Sequence, residues 1–243
     1  MLGSNRSSGT SSENRVLSTV NITSTGTQNT TVPAGVVYVE VEMFGGGGGG
    51  GHGGVQAGRG GSQVFRSGGG GGGGAYVKHR FRGPDFRAGD ILRFTVGEAG
   101  NAAINNLNTA GNGDATQFSL HLRGSTTITT FSDVEAGGGI GGASEFAGGS
   151  SSGNGGEAQN GNLSNIDAAD ADPRTTSTVF QLDGTAGTAA AGPGGGAGGG
   201  AGTASGTAST TGVVPGGGGG GCASNQTNPS DGADGKVIVT YYG

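Results

Sequence analysis

Few residues of this 243-residue chain have the type and spacing that chemistry needs. The three histidines, His52, His79 and His121, have no acid or nucleophile beside them in sequence that could form a catalytic pair. They could bind zinc only if folding brought them together. We therefore predict that the protein is not an enzyme and has no metal site, with His79 packed in a strand and His121 exposed to solvent.

Glycine motifs like those of nucleotide-binding loops occur many times, because 62 residues are glycine. None lies between a predicted strand and a predicted helix, which is the context that phosphate binding requires. The acidic segment DAADADP (167–173) lacks the spacing and the central glycine of a calcium loop, and is typical of a solvated turn. The sequence therefore predicts no cofactor.

Basic residues are concentrated in one part of a chain whose net charge is −5. Seven of the twelve lie between positions 59 and 93, and Lys78, Arg80 and Arg82 alternate along one predicted strand. These three side chains form either a solvated sheet face or a contact with an anionic surface or an acidic neighbouring subunit. The acidic balance of the whole chain argues against a nucleic-acid partner.

Alternation of apolar and polar residues predicts strands and no α-helix. In 116–123, for example, Phe118, Leu120 and Leu122 should share one face, with His121 on the other. Turns are expected at 33–35 and 88–90, where glycine occurs. The predicted strands are 15–22, 37–43, 75–81, 91–96, 116–123 and 236–242, with weaker candidates at 126–131 and 177–182.

Runs of glycine at 45–51, 68–74, 192–202 and 216–221 adjoin these strands. Such runs are often flexible linkers. Glycine can also form extended threefold helices of the polyproline II type, which bond laterally because no Cβ keeps their backbones apart. Since the runs recur next to strands and lack interleaved serine, we predict packed helices.

The expected fold is therefore all-β: a small β-sandwich-like sheet with packed polyglycine-II-type helices, long glycine-rich loops and no substantial α-helix. Residues 1–14 are predicted to be an arm that orders against a partner, and they lack the apolar core of a secretory signal. No apolar run reaches the ~18 residues that span a membrane. We predict either two units, a β-rich domain at 15–135 and a glycine-rich extension at 136–243, or a single domain at 15–243.

The order of several motifs resembles the glycine-rich domain of bacteriophage tail and tail-fibre proteins. These motifs are TVPAGVVYVEVEMFGGGGGGG, GGGGGGGAYVKHRF, AGDILRFTVGEAG and DGADGKVIVTYY. The resemblance covers roughly residues 31–101 and 213–242. More loosely, the chain is similar to the distal adhesins of T-even-like phages, in which polyglycine helices pack together.

The resemblance implies a virion protein at the host-facing end of a phage tail that binds a bacterial receptor, a polysaccharide or an outer-membrane protein, through glycine-rich loops. It implies other tail or baseplate proteins as partners, a homo-oligomer or a larger assembly, and no insertion into a membrane. Candidate loops are 52–67, 101–114 and 151–176. The candidate receptor-binding residues are His52, Arg59, Asn105 and Asn106.

Two other functions remain open from the sequence. The protein could be a purely structural cap or decoration of a virion, in which the glycine helices serve rigidity alone. It could also be an ice-binding protein, which would need a flat, regular array of small residues. GTASGTASTTG (202–212) is the candidate for such an array.

Overall fold

The computed structural model describes residues 15–57, 59–82, 86–105, 108–128, 134–144 and 153–243. Within these ranges the chain forms strands and a single 3-10 turn at Arg59–Gly61, and no α-helix, so the predicted all-β class is confirmed. The strands are β1 (Val16–Ile22), β2 (Gly26–Thr31), β3 (Tyr38–Phe44), β4 (Gly54–Ala57), β5 (Gln63–Arg66), β6 (Tyr76–Arg82), β7 (Ile91–Val96), β8 (Thr116–Arg123), β9 (Thr126–Ile128), β10 (Glu135–Ala136), β11 (Ala158–Gln159), β12 (Ser164–Ile166), β13 (Thr176–Ser177) and β14 (Lys236–Tyr242).

Two antiparallel sheets pack face to face and enclose the main core. One sheet has the order β1-β14-β3-β6-β12, and the other has the order β11-β10-β8-β7-β2 with β9 beside β8. Phe81 of the first sheet contacts Phe118 of the second, with ring centroids 5.3 Å apart. Since β14 lies between β1 and β3, the first and last described strands pair in one sheet.

The alternation predicted from sequence explains which side chains line this core. Val39, Val41 and Met43 of β3 are buried, while Glu42 between them is partly exposed. The same holds for β7 and β14, whose alternate residues are buried, each strand facing the opposite sheet. The expected turns are also present, with glycines at positive φ at Gly35 and Gly89.

One predicted face is wrong in β8. The pairing of β7 with β8 shifts register between Arg93 and Phe94, because the bulged strand β8 carries one extra residue there. Phe118 faces the core as expected, but beyond the bulge the alternation is inverted. His121 therefore pairs with Leu92 and is fully buried rather than solvated.

The two weaker strand predictions are confirmed only in part. Of 177–182 only Ser177 lies in a strand, and Val179 and Phe180 are exposed. In 126–131, the strand covers Thr126–Ile128, and the remainder lies outside the described residues. Sequence reasoning missed the polar strands β2 and β12 and the short hairpin of β4 and β5, which contain few of the apolar residues that the alternation test uses.

Glycine-rich segments continue from one end of this sandwich and form a bundle. Residues 45–51 leave β3, residues 68–75 return to β6, and residues 230–235 lead into β14. The predicted run 192–202 is divided: Gly192 and Gly194 adopt positive φ in a turn, and the extended segment comprises 195–202.

Residues 45–51 lie at the centre of the bundle, surrounded by six hydrogen-bonded segments. Every third N–H of the central run donates to the same neighbour: those of Gly48 and Gly51 donate to the carbonyl oxygens of Gly72 and Gly69, at 2.9 and 2.7 Å. This is the threefold periodicity expected of a polyglycine II helix. In order around the ring, each bonded to the next, the segments are 97–103, 110–115, 137–143, 68–75, 216–222 and 230–235.

The lattice requires glycine because its backbones approach too closely for a side chain. A Cβ placed on Gly48 would lie closer than 3.0 Å to the carbonyl group of Ile140, and one on Gly71 would meet that of Gly48. Contacts of this kind recur at almost every position of the runs 45–51 and 216–221. The predicted packing of polyglycine helices is therefore confirmed.

Further segments, 153–157, 167–173, 184–191 and 209–213, extend the bundle outward. Here side chains replace missing neighbours: the hydroxyl oxygens of Thr185 and Thr188 accept hydrogen bonds from the N–H groups of Gly70 and Gly73, at 2.6 and 2.8 Å. Both the sandwich and the bundle combine described residues from before and after position 135.

Candidate recognition surface at the distal end of the bundle

The end of the bundle opposite the sandwich is closed by connections that we name the distal segments. Residues 52–67, for example, join the far ends of the runs 45–51 and 68–75, and residues 223–229 join 216–222 to 230–235. The described distal segments are 52–57, 59–67, 104–105, 108–109, 174–183, 203–208 and 223–229.

Hydrogen bonds between the distal segments hold them together. Asn225 and Gln226 donate from their side chains to the carbonyl oxygens of Ala204 and Thr203, at 3.0 and 3.1 Å. The Ala204 N–H in turn donates to Asp183 Oδ1 at 2.6 Å. These contacts join 203–208 with 223–229 and 174–183, so three of the distal segments are loops bonded to one another.

A small three-stranded sheet, β13-β5-β4, forms one part of this surface. Val55 of β4 is paired with Phe65 of β5, and it is exposed. Val179 and Phe180, directly after β13, are 81% and 62% exposed. Ile104, in another distal segment, is 85% exposed. Adjacent exposed apolar side chains, such as Val179 and Phe180, are typical of a contact surface.

His52 lies beneath this surface rather than on it. The His52 side chain is buried, and its ring Nδ1 contacts the carbonyl oxygen of Gly53. The backbone N–H of His52 donates to Ser144 Oγ at 2.9 Å. The Gly53 N–H donates to Cys222 Sγ at 3.0 Å, and the thiol donates to the Gln226 carbonyl oxygen at 3.1 Å. Burial raises the pKa of the Cys222 thiol. This cluster therefore supports the distal segments from below.

The other predicted receptor-binding residues have mixed positions. Arg59 begins the 3-10 turn between β4 and β5, within a distal segment. Asn105 also lies in a distal segment, where its Oδ1 accepts a hydrogen bond from the Asn108 N–H at 3.1 Å. Asn106 lies outside the described residues. The predicted loop 101–114 belongs mainly to the bundle, because only 104–109 connects two of its segments.

Lys78, Arg80 and Arg82 lie on β6, far from the distal segments, and the first two are neutralised by carboxylates of β3. Lys78 Nζ is 3.0 Å from Glu40 Oε2, and Arg80 forms an ion pair with the same carboxyl group. Burial alone would raise the pKa of Glu40, but its bonds with Arg80 and Lys78 lower it. Arg82 is exposed at the end of the strand.

The three histidines are not brought together. His79 is half-buried in β6, where Nδ1 lies 3.0 Å from the Asn160 carbonyl oxygen and burial lowers the pKa of the ring. His121 lies in the sandwich core beside Asp90. In the described ranges no cluster of three or more His, Cys, Asp or Glu side chains could hold a metal ion, and no helix there could cross a membrane.

Sequence reasoning missed the exposed apolar residues of the distal segments. Val179 and Phe180 appeared to belong to a strand, because alternation alone does not separate a buried strand from a loop. The sequence feature that could have indicated a loop was the position of these two residues between long segments of Gly, Ala, Ser and Thr. The candidate for a flat ice-binding array, 202–212, is interrupted by a turn. Residues 203–207 form this turn, in which the Thr207 N–H donates to Thr203 Oγ1 at 3.1 Å.

Comparison with known proteins agrees with this architecture. Residues 23–242 match the family model described as a glycine-rich domain. No curated protein is similar enough in sequence to count as a match. The family match covers both the sandwich and the bundle. The chain therefore belongs to the glycine-rich domain family.

Proposed function

We propose that this protein is a structural, non-enzymatic component at the host-facing end of a bacteriophage tail, and that its distal segments bind a receptor on the bacterial surface. One observation carries the proposal: mutually bonded loops with exposed apolar side chains stand at the end of a rigid bundle. Binding residues are commonly found on loops that a rigid scaffold positions. The motif order that resembles phage tail proteins supports the virion location.

The composition of the distal segments suits a receptor that offers both apolar and hydrogen-bonding groups. Val55, Val179 and Phe180 supply apolar area, whereas Gln181 and Asn225 supply amide groups. The receptor is a bacterial surface polysaccharide or an outer-membrane protein. The sandwich, at the opposite end, is then the part that attaches to other tail or baseplate proteins, with the protein as a homo-oligomer or within a larger assembly.

Binding to intact cells tests the proposal. The purified, fluorescently labelled chain is incubated with a panel of Gram-negative and Gram-positive bacteria, and cell-bound fluorescence is measured. We expect binding to a subset of strains, and we expect V179S/F180S to reduce it at least ~10-fold, as for residues that dominate an interface.

The matched control is V16S/V37S, which makes the same kind of change at the exposed Val16 and Val37 of the sandwich. It should bind cells as the parent chain does. Binding to no strain, or an equal loss in both double variants, would contradict receptor recognition by the distal segments and favour a purely structural virion part.

A further inference from the structure

A groove of about 580 Å³ runs along the side of the bundle, near its junction with the sandwich. Segment 230–235 forms its floor, and segments 97–103 and 209–213 form its walls. It is separate from the distal segments. Its lining includes Glu98, Asn101, Thr211, Gly212, Asp231 and Asp234.

The hydrogen-bond periodicity of the floor shows which groups face this groove. The N–H groups of Ser230 and Ala233 donate to segment 216–222, and those of Gly232 and Gly235 donate to segment 97–103. Residues three apart face the same side of a threefold helix, so the N–H groups of 231 and 234 point in the third direction. Among the described residues, none accepts a hydrogen bond from either of them.

The third direction leads to a position of the lattice that no described segment occupies. Around the central run 45–51 every such direction is occupied by another segment, whereas around 230–235 the side between 209–213 and 97–103 is open. On the groove wall, the carbonyl oxygen of Gly212 accepts no hydrogen bond from a described residue. The groove therefore presents two backbone donors, about 9 Å apart at 3.1 Å per residue, and an acceptor beside them.

Carboxylates make the same groove acidic. Asp231 Oδ1 accepts a hydrogen bond from the Ala102 N–H at 2.6 Å, and Asp234 Oδ1 accepts one from the Ala99 N–H at 2.9 Å. These two side chains cover the flank of segment 97–103, while Glu98 is exposed at the rim. A groove lined by charges of one sign attracts a ligand of the opposite sign.

We propose that this groove binds an extended, glycine-rich and basic segment of a partner protein, which takes the empty position as one more helix of the lattice. The partner's carbonyl oxygens accept hydrogen bonds from the N–H groups of Asp231 and Asp234, and one of its N–H groups donates to Gly212. Its Lys or Arg side chains face the carboxylates. The mode corresponds to strand addition at a sheet edge, with threefold helices in place of strands.

The partner's sequence is constrained by this geometry. Since backbones in the lattice approach more closely than a Cβ allows, the residues that face the groove floor must be glycine. Basic residues are tolerated at every third position, which faces the rim. A second copy of this chain is a poor occupant, because its charge is −5 and its central glycine runs are buried.

The test uses the full chain and two capped nonapeptides, Gly-Gly-Lys and Gly-Gly-Glu repeated three times. Affinity is measured at low salt by fluorescence anisotropy, and amide signals of 231 and 234 are followed by NMR. We expect the lysine peptide to bind about tenfold or more tightly than the glutamate peptide. Binding of the lysine peptide should shift the two amide signals.

The backbone contact is tested with Asp231→Pro, which removes the N–H while its fixed φ suits an extended threefold helix. Asp231→Ala is the control, since it loses the same carboxylate but keeps the N–H. We expect the proline variant to bind the lysine peptide at least ~5-fold more weakly than the alanine variant, when both have similar melting temperatures. Equal affinities of the two variants, or of the two peptides for the parent chain, would overturn the proposal.

Discussion

Gly48 donates its backbone hydrogen to the carbonyl oxygen of Gly72 at 2.9 Å, and the carbonyl oxygen of Gly48 accepts one from Gly219 at 2.8 Å. The central run thus bonds two other glycine runs through one residue. A typical hydrogen bond contributes only ~1 kcal/mol, which does not offset the cost of ordering a glycine. The bundle is stabilised because each segment bonds several neighbours at once, and because segments such as 45–51 and 68–75 adjoin strands of the sandwich.

Replacing Gly48 with alanine should therefore destabilise the protein strongly. The new methyl group would meet the backbone of Ile140, which a hydrogen-bonded ring holds in place. We expect a loss of ~3 kcal/mol or more in the free energy of unfolding, at the upper end of overpacking effects. Denaturant titration measures this loss.

Gly200→Ala is the matched control, because a Cβ there meets only the Thr210 hydroxyl oxygen, at 3.4 Å. Its free energy of unfolding should lie within ~1 kcal/mol of the parent value, because alanine reduces the freedom of the unfolded chain and so offsets the mild crowding. Equal effects of the two substitutions would contradict the close packing of the central run.

Amide hydrogen exchange should separate the bundle from a flexible linker. The amide hydrogens of peptides covering 45–51 and 68–74 should exchange as slowly as those of β3 and β14, because their N–H groups are buried and hydrogen-bonded. Val179 and Phe180, on the distal surface, should exchange much faster. Complete exchange of both glycine runs within the dead time would contradict the bundle.

Much of this architecture could be predicted from the sequence, because simple periods govern it. A period of two identified the core residues of β3 and β14, such as Val41 and Val239. Long glycine runs identified the centre of the bundle. The inverted face of β8 could not be predicted, since a bulge leaves no mark in the apolar pattern and places His121 in the core.

The outer bundle segments were missed because only some of their positions are crowded. In GTAGTA (184–189), Gly184 and Gly187 face neighbouring carbonyl groups, whereas Thr185 and Thr188 bond the adjacent run with their hydroxyls. Glycine at every third position was therefore the sequence feature that could have identified these outer bundle segments. The distal segments have no such period, which is why Ile104 and Phe180 were not identified as candidates.

The buried Asp90 should make stability depend on acid pH. His121 Nε2 and Arg123 Nη2 lie 2.9 and 3.0 Å from Asp90 Oδ2. Burial opposes ionisation of this carboxyl group, but its bonds with Arg123 and His121 lower its pKa from 3.8 to about 2. A lowered folded-state pKa stabilises the protein above the unfolded value of 3.8, and that contribution, ~2 kcal/mol, is lost as the pH falls towards 2.

Denaturant unfolding of Asp90→Asn at pH 6, 4 and 2 tests this dependence. The variant should be less stable than the parent chain at pH 6, and the difference should shrink at pH 2. Asp170→Asn is the control, since Asp170 is exposed and its Oδ1 accepts a hydrogen bond from Gly155 that an amide oxygen can also accept. A pH-independent difference for Asp90→Asn would refute the ionic role of the cluster.

Lys78 and Arg80 of β6 should become available to anions only when their carboxylate partners are removed. Glu40 pairs with both Lys78 and Arg80, and Glu42 Oε1 lies 3.3 Å from Lys78 Nζ. We expect E40Q/E42Q to elute from a heparin column at clearly higher salt than the parent chain, because two cations lose their counter-charges. The control E135Q/E157Q changes the net charge equally at two glutamates that form no ion pair with Lys78 or Arg80 in the described part of the chain. Matching elution of the two double variants would mean that net charge alone governs retention, and that Lys78 and Arg80 are not masked by β3.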